Sequence, residues 1–297
     1  MWRVKLGRCG PFSRALARLL RALLPVRGIG PLTAIVLGAP APAQSACPAV
    51  RRLDGVAFEL DLREALHRVV YLDLFSLELR RLVLPLLRPG ELFVDIGANF
   101  GLWALAAARR GCPVIAVEPV PATRERLAAN VRRNGLAERV EIVAAAISDA
   151  PGTLTLSLPA GESGQASVHA GAAQRVETFT VSAITLDQLI GERRVGFLKI
   201  DIEGHEPALL AGGARVLASG QVERLLIELT SVALARAGRS SGAIIDALLA
   251  HGYRFERFVR ANEGLFPRGS YGRLMLDQLR SGAHAGDALW TRVGDAD

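Results

Sequence analysis

From residue 91 onward the chain alternates short apolar runs with helix-length segments, a pattern that few folds can accommodate. "LFVDI" (92–96), "PVIAVE" (113–118), "RVEIVAAAI" (139–147), "VGFLKID" (195–201) and "RLLIEL" (224–229) are rich in Val, Ile and Leu. Runs apolar on both faces belong to strands covered on both sides, the condition of a parallel sheet. Residues 102–110 read as a helix closed by Gly111. A second helix runs from about Pro121, suited to a first turn, to Gly135, a stop signal. Strand and helix in repetition predict a doubly wound α/β sheet. Weaker strand patterns at 253–259 and 288–292 complete it. "GTLTLSL" (152–158) and "TFTVSAI" (178–184) alternate with period two and mark a β-rich insertion between the third and fourth core strands.

At 297 residues, half of them apolar, the chain can bury the core of one elaborated domain. Its net charge of +7 is not spread evenly. Residues 1–52 carry nine basic residues and no acid, leaving 27 of the 36 basic residues against all 29 acids. The basicity therefore belongs to an N-terminal segment and is no nucleic-acid signature for the rest. The reading is a basic helical extension and linker over 1–52 and a main domain over 53–297. Within the extension, "RALARLLRALL" (14–24) sets Arg14, Arg18 and Arg21 opposite a leucine face. That helix either docks through its leucines or touches an anionic membrane surface weakly. Residues 38–49, rich in Ala and Pro, read as linker, and "DGVAFELDL" (54–62) as a turn and a strand.

Cys9, Cys47 and Cys112 are odd in number and widely spaced, which suggests neither a disulfide framework nor a zinc site. No run reaches the ~18 apolar residues of a membrane span. "IGPLTAIVLGAPAPAQSA" resembles a signal-peptide core, but it follows an arginine-rich segment longer than a secretory leader carries. The expectation is a cytoplasmic protein with no membrane span and no nucleic-acid partner. The sequence sets no oligomeric state.

"DIGANFG" (95–101) is a strand end running into a glycine turn and a helix. Gly97 and Gly101 let a ligand lie against the backbone, and the helix start offers amides to an anionic group. The turn is not the G-x-G-x-x-G of dinucleotide enzymes, because Asn99 stands where the second glycine belongs. Glu118 ends the second strand, 21 residues beyond Gly97, where folds of this class place a carboxylate for ribose hydroxyls. An acid at position 95 repels a phosphate and attracts a cation. S-adenosylmethionine therefore fits better than NAD, with its ribose at Glu118, its adenine near Ala146 to Asp149 and its ammonium near Asp95. The expected cofactor set is Asp95, Gly97, Ala98, Asn99, Gly101, Glu118, Ala146, Ser148 and Asp201.

"FLKIDIEGHE" (197–206) ends the fourth strand at the mouth of the same cleft. Period two sends Lys199, Asp201 and Glu203 to one face. His205 is the first candidate for a general base, since an imidazole titrates near neutral pH. Asp201 is the second; it is the base itself, orients His205, or sits beside the transferring methyl. Glu203 shapes the acceptor site. Glu206 suits a helix start, and Pro207 the first turn. Asp201 with Glu203 lacks a clear third ligand, so no metal is expected. Lys199, one of only two lysines in the chain, is expected to pair with Asp201. His67, His169, His251 and His284 read as structural or exposed.

"LRPGELFVDIGANFGLWALAAA" (87–108), "VIAVEPVPATRERLAANVRRNGL" (114–136), "AAISDAPGTLTLSL" (145–158), "ITLDQLI" (184–190) and "LKIDIEGHEPALLAGG" (198–213), in this order and spacing, resemble the FkbM family of S-adenosylmethionine-dependent methyltransferases over about residues 53–230. The resemblance implies a Rossmann-like class I methyltransferase fold with a seven-stranded, mostly parallel sheet. It also implies O-methylation of a hydroxyl on a saccharide or natural-product acceptor. The N-terminal helix and the strand after it look like the family's usual extension. The alternative is a non-catalytic module that keeps the fold for cofactor binding or scaffolding; the intact Asp95, Gly97, Glu118 and Asp201 weigh against it.

Overall fold

The computed structural model describes residues 48–71, 73, 75–159, 168, 176–229, 231–260, 272–282 and 286–293. The helix expected at 14–24, Cys9, Cys47, His169 and His284 lie outside them. Seven strands form the main sheet: β3 (Phe93–Ile96), β4 (Val114–Val117), β5 (Val140–Val143), β9 (Val195–Ile200), β10 (Val222–Leu229), β11 (Tyr253–Arg260) and β12 (Gly286–Arg292). Their order is β11-β12-β10-β9-β3-β4-β5. The five from β10 to β5 run parallel, and β12 is antiparallel to both its neighbours. The chain order reverses between β3 and β9, where such sheets open a crevice at the carboxyl ends of their strands.

Side chains alternate between two cores, as the pleat requires. Val94, Ile96, Leu198, Ile200, Leu225 and Ile227 face α6 (Glu206–Gly212), α7 (Ala214–Ala218) and α9 (Ser241–Ala250). Phe93, Phe197, Leu226 and Leu289 face the other way, toward α3 (Leu102–Arg109). Phe93 and Phe197 stack there at 5.8 Å. The next residues along on that face are Asp95 and Lys199, which stand side by side in register.

That second core is completed by a hairpin of β1 (Pro48–Leu53) and β2 (Val56–Asp61), followed by α1 (Ala65–Tyr71) and α2 (Leu77–Val83). The linker expected to reach residue 49 thus gives way to a strand that crosses position 52. Its side chains Pro48, Val50 and Arg52 are exposed, so no apolar alternation announces it. The hairpin is tied to α4 (Pro121–Arg133) by polar groups. Asn130 Oδ1 accepts the Glu59 amide at 2.8 Å, and Asn134 Oδ1 the Ala57 amide at 2.8 Å. His67, fully buried, accepts the Asp61 amide on Nδ1 at 3.0 Å and meets Phe100 edge-on, a structural role.

The run 139–147 does not form one strand. After Val143 the chain leaves the sheet, and β6 (Ala146–Ser148) pairs parallel to β8 (Val176–Thr185), which is antiparallel to β7 (Gly152–Pro159). Ala144 to Ala146 give an edge strand little side chain to hold it. β7 and β8 are the insertion expected between core strands three and four, and β6, expected to continue the third core strand, joins them in a separate sheet. α5 (Leu186–Ile190) follows with a complete capping box from Thr185 and Gln188. α8 (Ser231–Arg236) and α10 (Gly272–Arg280) complete the helices among the described residues.

Candidate active site

A cavity of about 390 Å³ opens at the carboxyl ends of β3, β4, β9 and β10. Its lining brings together Gly97, Ala98, Asn99, Glu118, Ala146, Lys199, Asp201, Glu203 and His205. These come from four separate stretches of chain. A larger depression of about 560 Å³, lined by Arg139, Arg193 and Arg194, lies at the amino ends of the strands, away from the crevice.

The glycine turn is shaped by its neighbours. Gly97 has φ +79°, and a Cβ there would lie 1.9 Å from the Asp201 carbonyl oxygen, so this glycine lets β9 end against β3. Gly101 (φ +97°) does not line the cavity. A Cβ on it would meet Leu105 and Leu127 within 2.6 Å, so its role is packing rather than cofactor contact. Nor does the turn offer spare amides. Gly97 and Ala98 donate to the Val117 carbonyl at 3.1 and 3.0 Å, Asn99 to Glu118 at 3.0 Å, and Phe100 to the Asn99 side chain at 2.7 Å. A phosphate would find its expected donors taken.

Asp95 corrects another expectation. It is fully buried and outside the cavity lining, so it cannot meet an ammonium group there. Its Oδ2 accepts the Ala104 amide at 2.9 Å in the first turn of α3, and its Oδ1 lies 3.6 Å from Lys199 Nζ. Burial raises its pKa despite the attraction of Lys199. Lys199, 3% exposed, donates to Asp201 Oδ2 at 3.1 Å. Burial alone would lower its pKa, but Asp201 and Asp95 outweigh that and hold it above the usual lysine value. The expected pairing with Asp201 is present, and Asp95 is a second partner that the sequence reading had sent to the cofactor.

Glu118 faces the cavity with both carboxyl oxygens fixed: Oε1 accepts the Val120 amide at 2.8 Å and Oε2 that of Asn99. Each oxygen keeps a second lone pair for a hydroxyl. Burial lifts its pKa to about 7. Ala146 lines the cavity, whereas Ser148 is 3% exposed and does not. Ser148 Oγ donates to Asp149 at 2.9 Å and lies 3.0 Å from His205 Nε2, so it anchors the histidine and leaves the cofactor to others. Glu206 begins α6 as expected. Its Oε1 accepts the Ile202 and Gly204 amides, closing the turn, and burial lifts its pKa to about 7.

Two acids were absent from the expected set. Glu228, at the end of β10, lines the cavity, and its carboxyl oxygen lies within 4.8 Å of those of Asp201 and Glu203. Asp287 on β12 stands opposite Glu228 in register. Both hid in apolar strand runs. The available signal was an acid two residues beyond Leu226 on the strand next to "FLKID". Asp201, Glu203 and Glu228 also supply the three carboxylates that a divalent ion would need, one more than the sequence reading counted.

The residues suit a cationic cofactor. Among the described residues that line it, carboxylates outnumber the one ammonium, the amides of the glycine turn are taken, and each Glu118 oxygen keeps a lone pair free of the backbone. A seven-stranded sheet of this order, with a cleft at the point where the strand order reverses, is the Rossmann-like α/β arrangement of the class I methyltransferase fold. The family described as "Methyltransferase FkbM domain" matches residues 95–255, and the chain belongs to it. The 31-O-demethyl-FK506 methyltransferase FkbM of Streptomyces tacrolimicus is 30% identical over 159 residues, 42% of this chain and 60% of that protein. The AMB antimetabolite synthetase AmbE of Pseudomonas aeruginosa is 29% identical over 247 residues, 69% of this chain and 11% of that protein. The chain thus matches less than two thirds of either relative's length. The crystal structure of Methyltransferase FkbM from Methylobacillus flagellatus covers 68% of this chain and 43% of its own, at 17% identity and a TM-score of 0.43. Among the described residues no helix is long and apolar enough to cross a membrane.

Proposed function

We propose that the protein transfers a methyl group to a hydroxyl oxygen on a natural-product or saccharide acceptor, and that an apolar natural product suits it better. The observation that carries this reading is the asymmetry of the cleft. One wall is acidic, from Asp201, Glu203 and Glu228; another is apolar, from Leu66, Val69, Phe75, Phe100, Leu102 and Trp103. An acceptor seated between them presents a hydroxyl to carboxylates and a hydrocarbon skeleton to the aromatic side. The name of the Streptomyces relative, an O-methylating enzyme of such a compound, supports the same class.

S-adenosylmethionine, when bound, supplies an electrophilic methyl on a sulfonium. Around it the chain's own residues divide the work. Glu118 holds the ribose hydroxyls. Ala98, Asn99 and Ala146 shape the cradle, and Gly97 lets β9 end close beside it. Asp201, held by Lys199, places negative charge where a cation settles, and positioning of the acceptor oxygen in line with the methyl lowers the barrier. His205, fixed by Ser148, borders the acceptor side.

Incubation with methyl-labelled donor and three acceptor sets, hydroxylated macrolides, oligosaccharides and RNA, tests the reading. We expect one methyl per product, on oxygen, with macrolides preferred. Label transferred to RNA alone would overturn it.

A further inference from the structure

The proposed O-methylation leaves one proton to be placed, and the geometry points to Glu228, paired with Asp201, as the group that receives it. This inference rests on the O-methyltransferase reading. The bookkeeping of the step is simple: a lone pair of the acceptor oxygen forms the new C–O bond. The C–S bond breaks with its electron pair going to sulfur, which loses its positive charge. The hydroxyl proton passes to a Glu228 carboxylate oxygen.

Elimination among the titratable groups lining the cavity leads there. Both oxygens of Glu118 are held by backbone amides, and that residue lies beside the second strand, away from the acids. Lys199 is a cation held between Asp201 and Asp95. His205 has Nε2 bound to Ser148 Oγ. Glu203 sits at φ +52° on the turn, not on a strand. Glu228 is on a rigid central strand and faces the cavity. Leu226 pairs with Lys199 and Ile227 with Ile200, so one residue further Glu228 stands beside Asp201. A carboxyl oxygen of each lies within 4.8 Å of the other's.

The charged groups facing Glu228 set its proton affinity. They are Lys199 on β9, Asp201 and Glu203 just beyond it, and Asp287 opposite on β12, with His205 across the cavity and Asp95 behind Lys199. Burial raises the Glu228 pKa well above the ordinary value, and Asp201, Asp287 and Glu203 raise it further. A positive charge brought beside Glu228 lowers its proton affinity, so it becomes a base when a cation is present.

Glu228→Gln keeps the shape and removes the base. The expected result is a fall in kcat of about 100- to 10,000-fold, with loss of the acid limb of the pH–rate profile. Binding of S-adenosylhomocysteine, which lacks the positive charge, stays measurable by calorimetry. Independent of turnover, infrared difference spectra of the apoprotein show a protonated-carboxyl band at neutral pH that Glu228→Gln loses. Should that variant fail to fold, Asp287→Asn serves: removing a neighbouring negative charge moves the acid limb to lower pH. An unchanged limb in both variants, or a limb lost in His205→Gln instead, overturns the proposal. So does wild-type activity abolished by chelation and restored by Mg²⁺, which would give the three acids to an ion. Absence of S-adenosylhomocysteine binding by the wild type would remove the methyltransferase reading itself, and the proposal with it.

Discussion

Gly97 shows how little room the cleft leaves for change. An alanine there takes on a left-handed conformation that L side chains resist and drives a Cβ into the Asp201 carbonyl. The strain costs roughly 1–3 kcal/mol and the clash adds to it, so Gly97→Ala should lower the unfolding free energy measured in urea by at least that much; an unchanged free energy would contradict the contact. Lys199 is as constrained. Lys199→Met leaves Asp95 buried opposite no cation, and breaking such a pair costs about 3–5 kcal/mol. The folded pKa of Lys199 lies above its ordinary value, so its contribution is complete below about pH 10 and fades only above it. Urea denaturation at neutral pH therefore shows the full loss. A variant as stable as the wild type would mean that Asp95 gains nothing from the ammonium.

The turn from β9 into α6 joins stability to pH. Glu206 titrates at about 7, against an ordinary 4.5, because it is buried. A carboxyl with a raised folded pKa contributes stability that is complete below the unfolded value and is lost as pH rises through the folded one. The wild type should therefore lose melting temperature between about pH 4.5 and 7. Glu206→Gln keeps an oxygen for the Ile202 and Gly204 amides and should flatten that slope; an equal slope in both proteins would refute the assignment. The β1–β2 hairpin depends on Asn130 of α4 and on Asn134, one turn further on at the C-cap of that helix. Asn130→Ala strands the Glu59 amide and the Phe100 carbonyl, which Asn130 Nδ2 meets at 3.1 Å. A buried unsatisfied group costs about 1–3 kcal/mol. Faster hydrogen exchange at Glu59 would report it, and unchanged exchange would count against the tie.

These elements also mark how far the sequence could be read. Val-, Ile- and Leu-rich runs revealed the five parallel strands of the main sheet, because burial on both faces leaves a compositional trace, whereas β11 and β12 left only the weaker patterns at 253–259 and 288–292. The trace fails where burial is one-sided or side chains are small, as at Pro48–Leu53 and Ala144 to Ala146. In the cleft, Gly97, Glu118, Lys199, Asp201, Glu203 and His205 converge as their strand-end positions foretold. Asp95, Gly101 and Ser148 went astray for one reason: a motif gives a residue's place along the chain, not which way its side chain turns. Glu228 was missed because its place depends on β9 and β10 lying in register, information that no single segment holds.

Taken as one molecule, the chain places the proposed cofactor cradle and acid-rimmed acceptor site where the strand order reverses, with Leu66, Val69 and Phe75, which lie before the family-matched segment, among the lining side chains. The claim on which everything else depends is that this cleft holds the adenosine of S-adenosylmethionine through Glu118. Calorimetric titration of S-adenosylhomocysteine into wild type and Glu118→Ala, with circular dichroism to confirm the fold, tests it most directly. Hydrogen bonds to a charged group contribute about 1.5–3 kcal/mol each, so loss of two should weaken binding by roughly 100-fold or more. One site per chain in the wild type and that loss in the variant are the predicted results; no binding by the wild type, or equal affinity in a folded Glu118→Ala, would contradict the account.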